Sequence, residues 1–250
     1  MKDNGRILAV GAHPDDIEFN CVGVLARLKA KGYHIVMATL TPGDCGSLEY
    51  SSQEIMTIRR NEARAAAELL GAEYYCLEER DLAIDYNTAT RRKVTGLLRT
   101  ADPFLVLTHP LNDYMMDHEI TGRLVRDACF GITMPNFGVP GGEKPTTGGV
   151  PYLYYWDYFG QQDMYGDPVP VDILIDITDT IEMKEKMLAC HESQRNWLRD
   201  QHGMDEYLES MRRAAAARGA QLGVQYAEGF RQHRGHPYPA DNILVKILEQ

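Results

Sequence analysis

Short apolar runs alternate with amphipathic stretches through the first half of the chain. Ile7-Leu8-Ala9-Val10 ends at Gly11 and reads as a strand buried on both faces. Residues 17–31 carry Phe19, Val22, Leu25, Ala26 and Leu28 on one stripe and stop at Gly32, which predicts a helix. His34–Leu40 predicts the next strand, closed by the turn Thr41-Pro42-Gly43-Asp44. A long helix over Ser52–Leu70, a strand over Glu73–Leu77 and a helix over Thr88–Thr100 follow. Then come a buried strand at Phe104–Leu107 and a helix over residues 117–130. Such alternation predicts an α/β fold, Rossmann-like, with a mostly parallel sheet and helices on both faces.

The second half is patterned differently. Residues 131–150 are rich in Gly, Pro, Thr and Asn and read as a long loop: a flap, a subunit contact or a surface insertion. Strands are expected at Tyr152–Trp156 and Val171–Ile177, and helices at Glu182–Arg199 and Asp205–Arg218. The apolar end (Ile243, Leu244, Val245, Ile247, Leu248) is expected to dock on its own body or on a neighbouring subunit. Residues 1–250 thus form one expected domain with a helical C-terminal part from about residue 180.

Composition changes this picture little. With 44% hydrophobic and 25% charged residues the chain has a globular make-up, and its formal charge of −10 argues against a nucleic-acid partner. Cys21, Cys45, Cys76, Cys129 and Cys190 form no CxxC pair, which fits reduced thiols in the cytoplasm. No apolar run approaches the length of a membrane span.

The candidate chemistry lies after the strands, where open α/β sheets bind ligands. His13-Pro14-Asp15-Asp16 follows the first strand, and His109 to His118 follow the strand at Phe104–Leu107. Imidazole and carboxylate suit a borderline divalent ion, and catalytic zinc sites pair three protein ligands with water. Two adjacent carboxylates can divide the work, one ligating and one taking a proton. The bland alternative is an Asp pair capping the following helix. His118 at the head of a later helix offers a third ligand from a neighbouring strand end. No GxGxxG follows the first strand, so the fold brings no dinucleotide with it.

His-Pro-Asp-Asp after a first strand, with Asp117-His118 starting a later helix, resembles the PIG-L/LmbE family of zinc-dependent N-acetylglucosaminyl deacetylases. Further matches are Glu18, Gly23, Thr41–Gly46, Arg59, Glu62, Leu70-Gly71, Asp113, Asp176-Ile177-Thr178, Lys184, His191, Ser193 and Gln194. The resemblance implies that His13, Asp16 and His118 bind Zn2+ and that Asp15 is the general base, with Asp117 and His191 as further catalytic residues. It implies substrate contacts from Arg59 and Asp113. Arg59 has the alternative of pairing with Glu62 on its own helix. The implied reaction removes an N-acetyl group from a small amino-sugar conjugate by attack of metal-bound water, and a homo-oligomer is expected.

The chain departs from the family at Met115-Met116-Asp117-His118, where relatives carry His-x-Asp-His. A thioether cannot donate a proton or carry charge. His191 is the leading replacement, with His109 and Tyr114 as others. The alternatives are a zinc amidase for a different N-acyl substrate and a catalytically weak metal- or sugar-binding protein. Asn20 and Val22 near Gly23 alter the family's glycine-rich helix start, a change that bears on substrate shape. His34 is expected to be structural, and His202, His233 and His236 to be solvated.

Overall fold

In the computed structural model, which describes residues 3–195 and 206–249, one seven-stranded sheet organises the chain. Its strands are β1 (Arg6–Gly11), β2 (His34–Thr39), β3 (Glu73–Cys76), β4 (Leu105–Thr108), β5 (Tyr152–Trp156), β6 (Ile173–Asp176) and β7 (Ala227–Gln232). They lie in the order β3-β2-β1-β4-β5-β7-β6, parallel through β5, with β7 antiparallel to both β5 and β6. The mostly parallel sheet is as expected. The strand β7 was not: AEGFRQ has no apolar alternation, because Glu228 is buried by pairing at 2.5 Å with the buried Lys184.

The helices are α1 (Asp16–Asn20), α2 (Val22–Ala30), α3 (Ser52–Leu70), α4 (Thr88–Ala101), α5 (Met116–Gly131), α6 (Ile181–Leu188), α7 (Glu206–Leu222) and α8 (Ile243–Leu248). Period-two side-chain alternation sends Ile7 and Ala9 of β1 into one apolar layer with α2, α6 and α8. Leu8 and Val10 enter the opposite layer with α4 and α5. The sequence states the ends of α3 well: a Ser51–Glu54 capping box opens it and Gly71 at φ 62° closes it.

Several boundaries differ from expectation. The single helix expected over 17–31 is two, because Cys21 leaves helical geometry (φ −141°, ψ 5°). That break lets the backbone amides of Gly23 and Val24, the open start of α2, donate to Glu228 at 2.9 and 2.8 Å. The helix expected from Glu182 ends at Leu188 and resumes over residues 192–195. Its remainder to Arg199, together with His202 and Asp205, lies outside the described residues. Gly23 meets Ile177 and Glu228, so the absence of a side chain there serves close packing and not substrate approach.

The loop 131–150 is fastened to α4 by the buried Arg99, which donates to the carbonyls of Ile132, Met134 and Glu143. The apolar end docks on the chain's own body, with Leu244 and Leu248 in the core and Arg27 donating to the Leu248 carbonyl at 2.9 Å. Among the described residues no helix is long and apolar enough to cross a membrane.

Candidate metal centre

Strand order reverses between β1 and β4, and the polar clusters sit on that pair's carboxyl ends. The chain leaves β1 through Ala12, His13 and Pro14 and enters α1 at Asp16. Asp15 stands at the start of α1 with φ 105°, a left-handed conformation that costs a non-glycine residue on the order of 1–3 kcal/mol. It makes no capping hydrogen bond, so the capping reading does not describe it. The turn is held instead by Arg59, which is 4% exposed. Its guanidinium donates to the carbonyls of Pro14 (3.0 Å) and Gly43 (3.3 Å) and lies 3.5 Å from Asp15 Oδ2. Gly43, at φ 74°, leaves the space that the guanidinium fills. Glu62 accepts from the Ser193 amide and hydroxyl.

From the β4 side, α5 approaches closely because Gly122 lies against the backbone of His109 and Pro110; a Cβ there would meet the His109 carbonyl at 2.6 Å. This approach sets His118 over His109, their rings stacked at 4.1 Å, and brings His118 Nε2 to 3.4 Å from Asp16 Oδ1. His13 Nδ1 lies 3.7 Å from Asp16 Oδ2.

The other ring nitrogens decide what these groups can do. His13 Nε2 is engaged by Asp81 at 3.0 Å and Asp117 at 3.3 Å, and His118 Nδ1 by Asp113 at 3.0 Å. Carboxylates behind each imidazole fix its orientation and raise its basicity, as carboxylate–histidine–metal arrangements do. Ligand atoms of His13, Asp16 and His118 lie within 4.8 Å of one another, so the three can hold a divalent ion. Two other groupings, His109-Asp113-His118 and His13-Asp81-Asp117, also meet that spacing, but they draw on the carboxylates that orient His13 and His118.

The electrostatics point the same way. Burial alone would favour a neutral His13, but its hydrogen bonds to the carboxylates of Asp117, Asp16 and Asp81 outweigh it and hold its pKa well above the usual imidazole value. Burial likewise opposes ionisation of Asp16, yet the surrounding imidazoles of His109 and His118 hold it well below the usual carboxylate range. Such a cluster of carboxylates favours a cation in its midst. Asp15 behaves differently: burial raises its pKa, the Arg59 charge opposes this, and the net shift is upward.

A cleft of about 200 Å³ opens onto this floor. Asp15, Asp16, Asn20, His109, Asp113 and His118 supply its polar surface, and Phe19, Tyr114, Trp156, Phe159 and Tyr207 its aromatic walls. No residue of 131–150 lines it.

The residues named from sequence therefore separate. Asp117 faces inward, accepting from the Leu82 amide at 2.8 Å behind His13. Asp113 orients His118 and also reaches the cleft. Arg59 braces the turn and is not part of the lining. His191 is fully buried 3.3 Å from Glu18 and does not line the cleft. Burial, which favours its neutral form, is outweighed by the Glu18 charge, so its pKa is raised. Ser193 and Gln194 continue that scaffold, Gln194 donating to the Gly46 carbonyl at 3.0 Å. Met115 precedes α5 and is absent from the cleft lining, whereas its neighbour Tyr114 stands edge-on to His118 at 5.3 Å.

Asp81 and Tyr207 were missed by sequence reasoning. Asp81 lies in an irregular stretch after β3, and Tyr207 reaches Asp15 with its hydroxyl from α7; neither belongs to a local pattern. Two peripheral histidines also resolve. His34 bonds Glu73 at 2.7 Å, and His233 is half-buried and bonded to Tyr155 at 3.0 Å, so it is not the solvated residue expected.

A family described as GlcNAc-PI de-N-acetylase (PIG-L) matches residues 8–129, the span that contributes His13, Asp16 and His118. Diacetylchitobiose deacetylase of Thermococcus kodakarensis is 26% identical over 92% of this chain and 84% of its own length. The 4-oxalmesaconate hydratase of Pseudomonas putida is 27% identical over 89% of this chain and 87% of its own. Among solved structures, the N,N'-diacetylchitobiose deacetylase of Pyrococcus horikoshii superposes with a TM-score of 0.76 at 28% identity, covering 93% of this chain and 86% of that one. The 4-carboxy-2-hydroxymuconate hydratase of Pseudomonas putida superposes with a TM-score of 0.77 at 25% identity, covering 97% and 99%. The family match over residues 8–129, with relatives and a solved structure matched over nearly the whole length, places this chain in the PIG-L/LmbE family, to which it belongs.

Proposed function

We propose that this protein is a zinc-dependent hydrolase that removes the N-acetyl group from an amino-sugar conjugate of the N-acetylglucosamine type, releasing acetate. One observation carries the reading: Asp16 and His118 line the floor of an aromatic-walled cleft beside the half-buried Asp15, whose carboxyl pKa is raised, and His13 converges with them from just beneath that floor. The deacetylases among its relatives support it.

His13, Asp16 and His118 would hold the Zn2+, with Asp81, Asp117 and Asp113 orienting the two rings. When bound, the ion supplies a Lewis acid that acidifies water and polarises the acetamide carbonyl. Asp15 takes the proton of the attacking water and returns it to the nitrogen, so the C–N bond breaks with a neutral amine leaving. Its raised pKa suits both halves of that transfer. Arg59 holds Asp15 in position, and Tyr207 hydrogen-bonds its carboxylate. Tyr114 takes the place vacated by the family's imidazole at Met115. Partial burial and the carboxylates of Asp16 and Asp113 raise its hydroxyl pKa, so it remains a donor for the developing oxyanion. The aromatic walls exclude water and stack on the sugar ring. The five free cysteines suit action in the reducing cytoplasm, and a homo-oligomer remains the proposed assembly.

Zinc analysis of the purified protein, with acetate release from a panel of N-acetylglucosamine conjugates, tests this reading. About one Zn2+ per chain and metal-dependent acetate release are expected; metal binding without acetate release from any conjugate overturns it.

A hydratase is the second reading, favoured by the Pseudomonas putida relatives and by Met115. Adding water across a carbon–carbon double bond expels no amine and needs no acid for one. Loss of conjugated absorbance from unsaturated polycarboxylates, without acetate release from sugars, would select it.

A further inference from the structure

Across Trp156 and Asp157 from the metal cleft lies a second depression of about 330 Å³. Both residues line the two spaces, and Pro110–Asn112, directly after His109, form the second one's near edge. A ligand bound over the metal floor can therefore extend into it without leaving the protein surface.

Its charge is out of keeping with a chain of formal charge −10. Arg231 and Arg234 line it, both exposed, and among the described residues neither has a carboxylate in ion-pair distance. Asp157 is already neutralised by Arg218, which grips both its oxygens at 2.6 and 2.9 Å. Asp172 is the one other acid in the lining, so two arginines against one free carboxylate leave a net charge of +1. Arg231 is set by the sheet: it lies opposite Tyr155 in the β5–β7 ladder, two residues from His233 on the same face. His233 adds no charge there, since burial and the nearby Arg126 lower its pKa. Tyr158 and Trp156 supply an apolar wall.

We propose that this depression is a subsite for one carboxylate on the aglycone of the substrate, gripped by Arg231 and Arg234. The proposal rests on the deacetylase reading for what occupies the neighbouring cleft. It also gives the role of anion recognition to residues other than Arg59, whose guanidinium is buried in bracing the turn.

The test compares two compounds on the zinc-loaded full chain: methyl N-acetylglucosaminide, which is neutral, and carboxymethyl N-acetylglucosaminide, which carries one carboxylate. The native protein should favour the carboxymethyl glycoside by about tenfold or more in kcat/KM, expressed in KM, as a charge-assisted contact allows. In Arg231→Met the ratio between the two should fall toward one. Equal kcat/KM in the native protein, or an unchanged preference in Arg231→Met, overturns the subsite. If neither compound releases acetate, the deacetylase reading falls, and calorimetric binding of the same pair decides the subsite separately. Tighter binding of the carboxymethyl glycoside that is lost in Arg231→Met supports it; equal binding overturns it.

Discussion

The short helix α1 carries two imidazole–carboxylate groups that look alike in sequence and differ in kind. Asp16 joins His109 and His118 on the floor of a cleft, with His13 against it from behind, while Glu18 meets His191 in the buried interior. Both match the family pattern. In the first group, outer carboxylates occupy the far ring nitrogens and direct the near ones at a shared point. In the second, nothing directs the imidazole toward ligand space, and the pair instead anchors the C-terminal segment behind Asp15. Access and orientation, not residue type, separate a ligand from a support.

The sharpest way to break this comparison is Asp16→Ala, which should abolish zinc binding and lower acetate release by on the order of 10³-fold or more. Retention of one zinc per chain would place the ion elsewhere. Next, Asp15→Asn should keep the metal while lowering the rate by about 10²–10⁴-fold; activity near the native level would mean that Asp15 is not the base. Asp113→Asn removes the support of His118 and should weaken zinc affinity by about 10–100-fold, read by competition with a chelator. Glu18→Gln should do the reverse. Zinc affinity stays, and unfolding by denaturant shows a loss of about 3–5 kcal/mol from the broken buried pair. Zinc loss with unchanged stability would move the Glu18–His191 group into the site. The smallest effect is expected of Met115→His, since position 115 does not line the cleft. A gain of about 10²–10³-fold, the usual worth of an oxyanion donor, would show instead that the missing imidazole limits the reaction.

Much of this was legible in the chain. The strands β1, β2 and β4 are plain apolar runs, because a strand covered on both faces has no polar side to show. The second half was harder to read: β7 hides Glu228 and Arg231 in a six-residue stretch whose strand character depends on partners 70 or more residues away in β5 and over 50 away in β6. The surroundings of His191 were hidden for a related reason. His191 matches a motif position, but only packing reveals that its ring is sealed off, whereas Tyr114 faces the cleft.

The sequence by itself determined the layered fold, the placing of polar clusters after β1 and β4, and the closeness of His13 to Asp16, because backbone preferences and a four-residue turn are local. Tertiary structure decided which imidazole nitrogens remain free, since Asp81, Asp113 and Asp117 choose them from outside the turn. It also decided that Arg59 and His191 brace the site and that Arg231 lies beside it. Those assignments depend on burial and on contacts between distant segments, which no local pattern encodes.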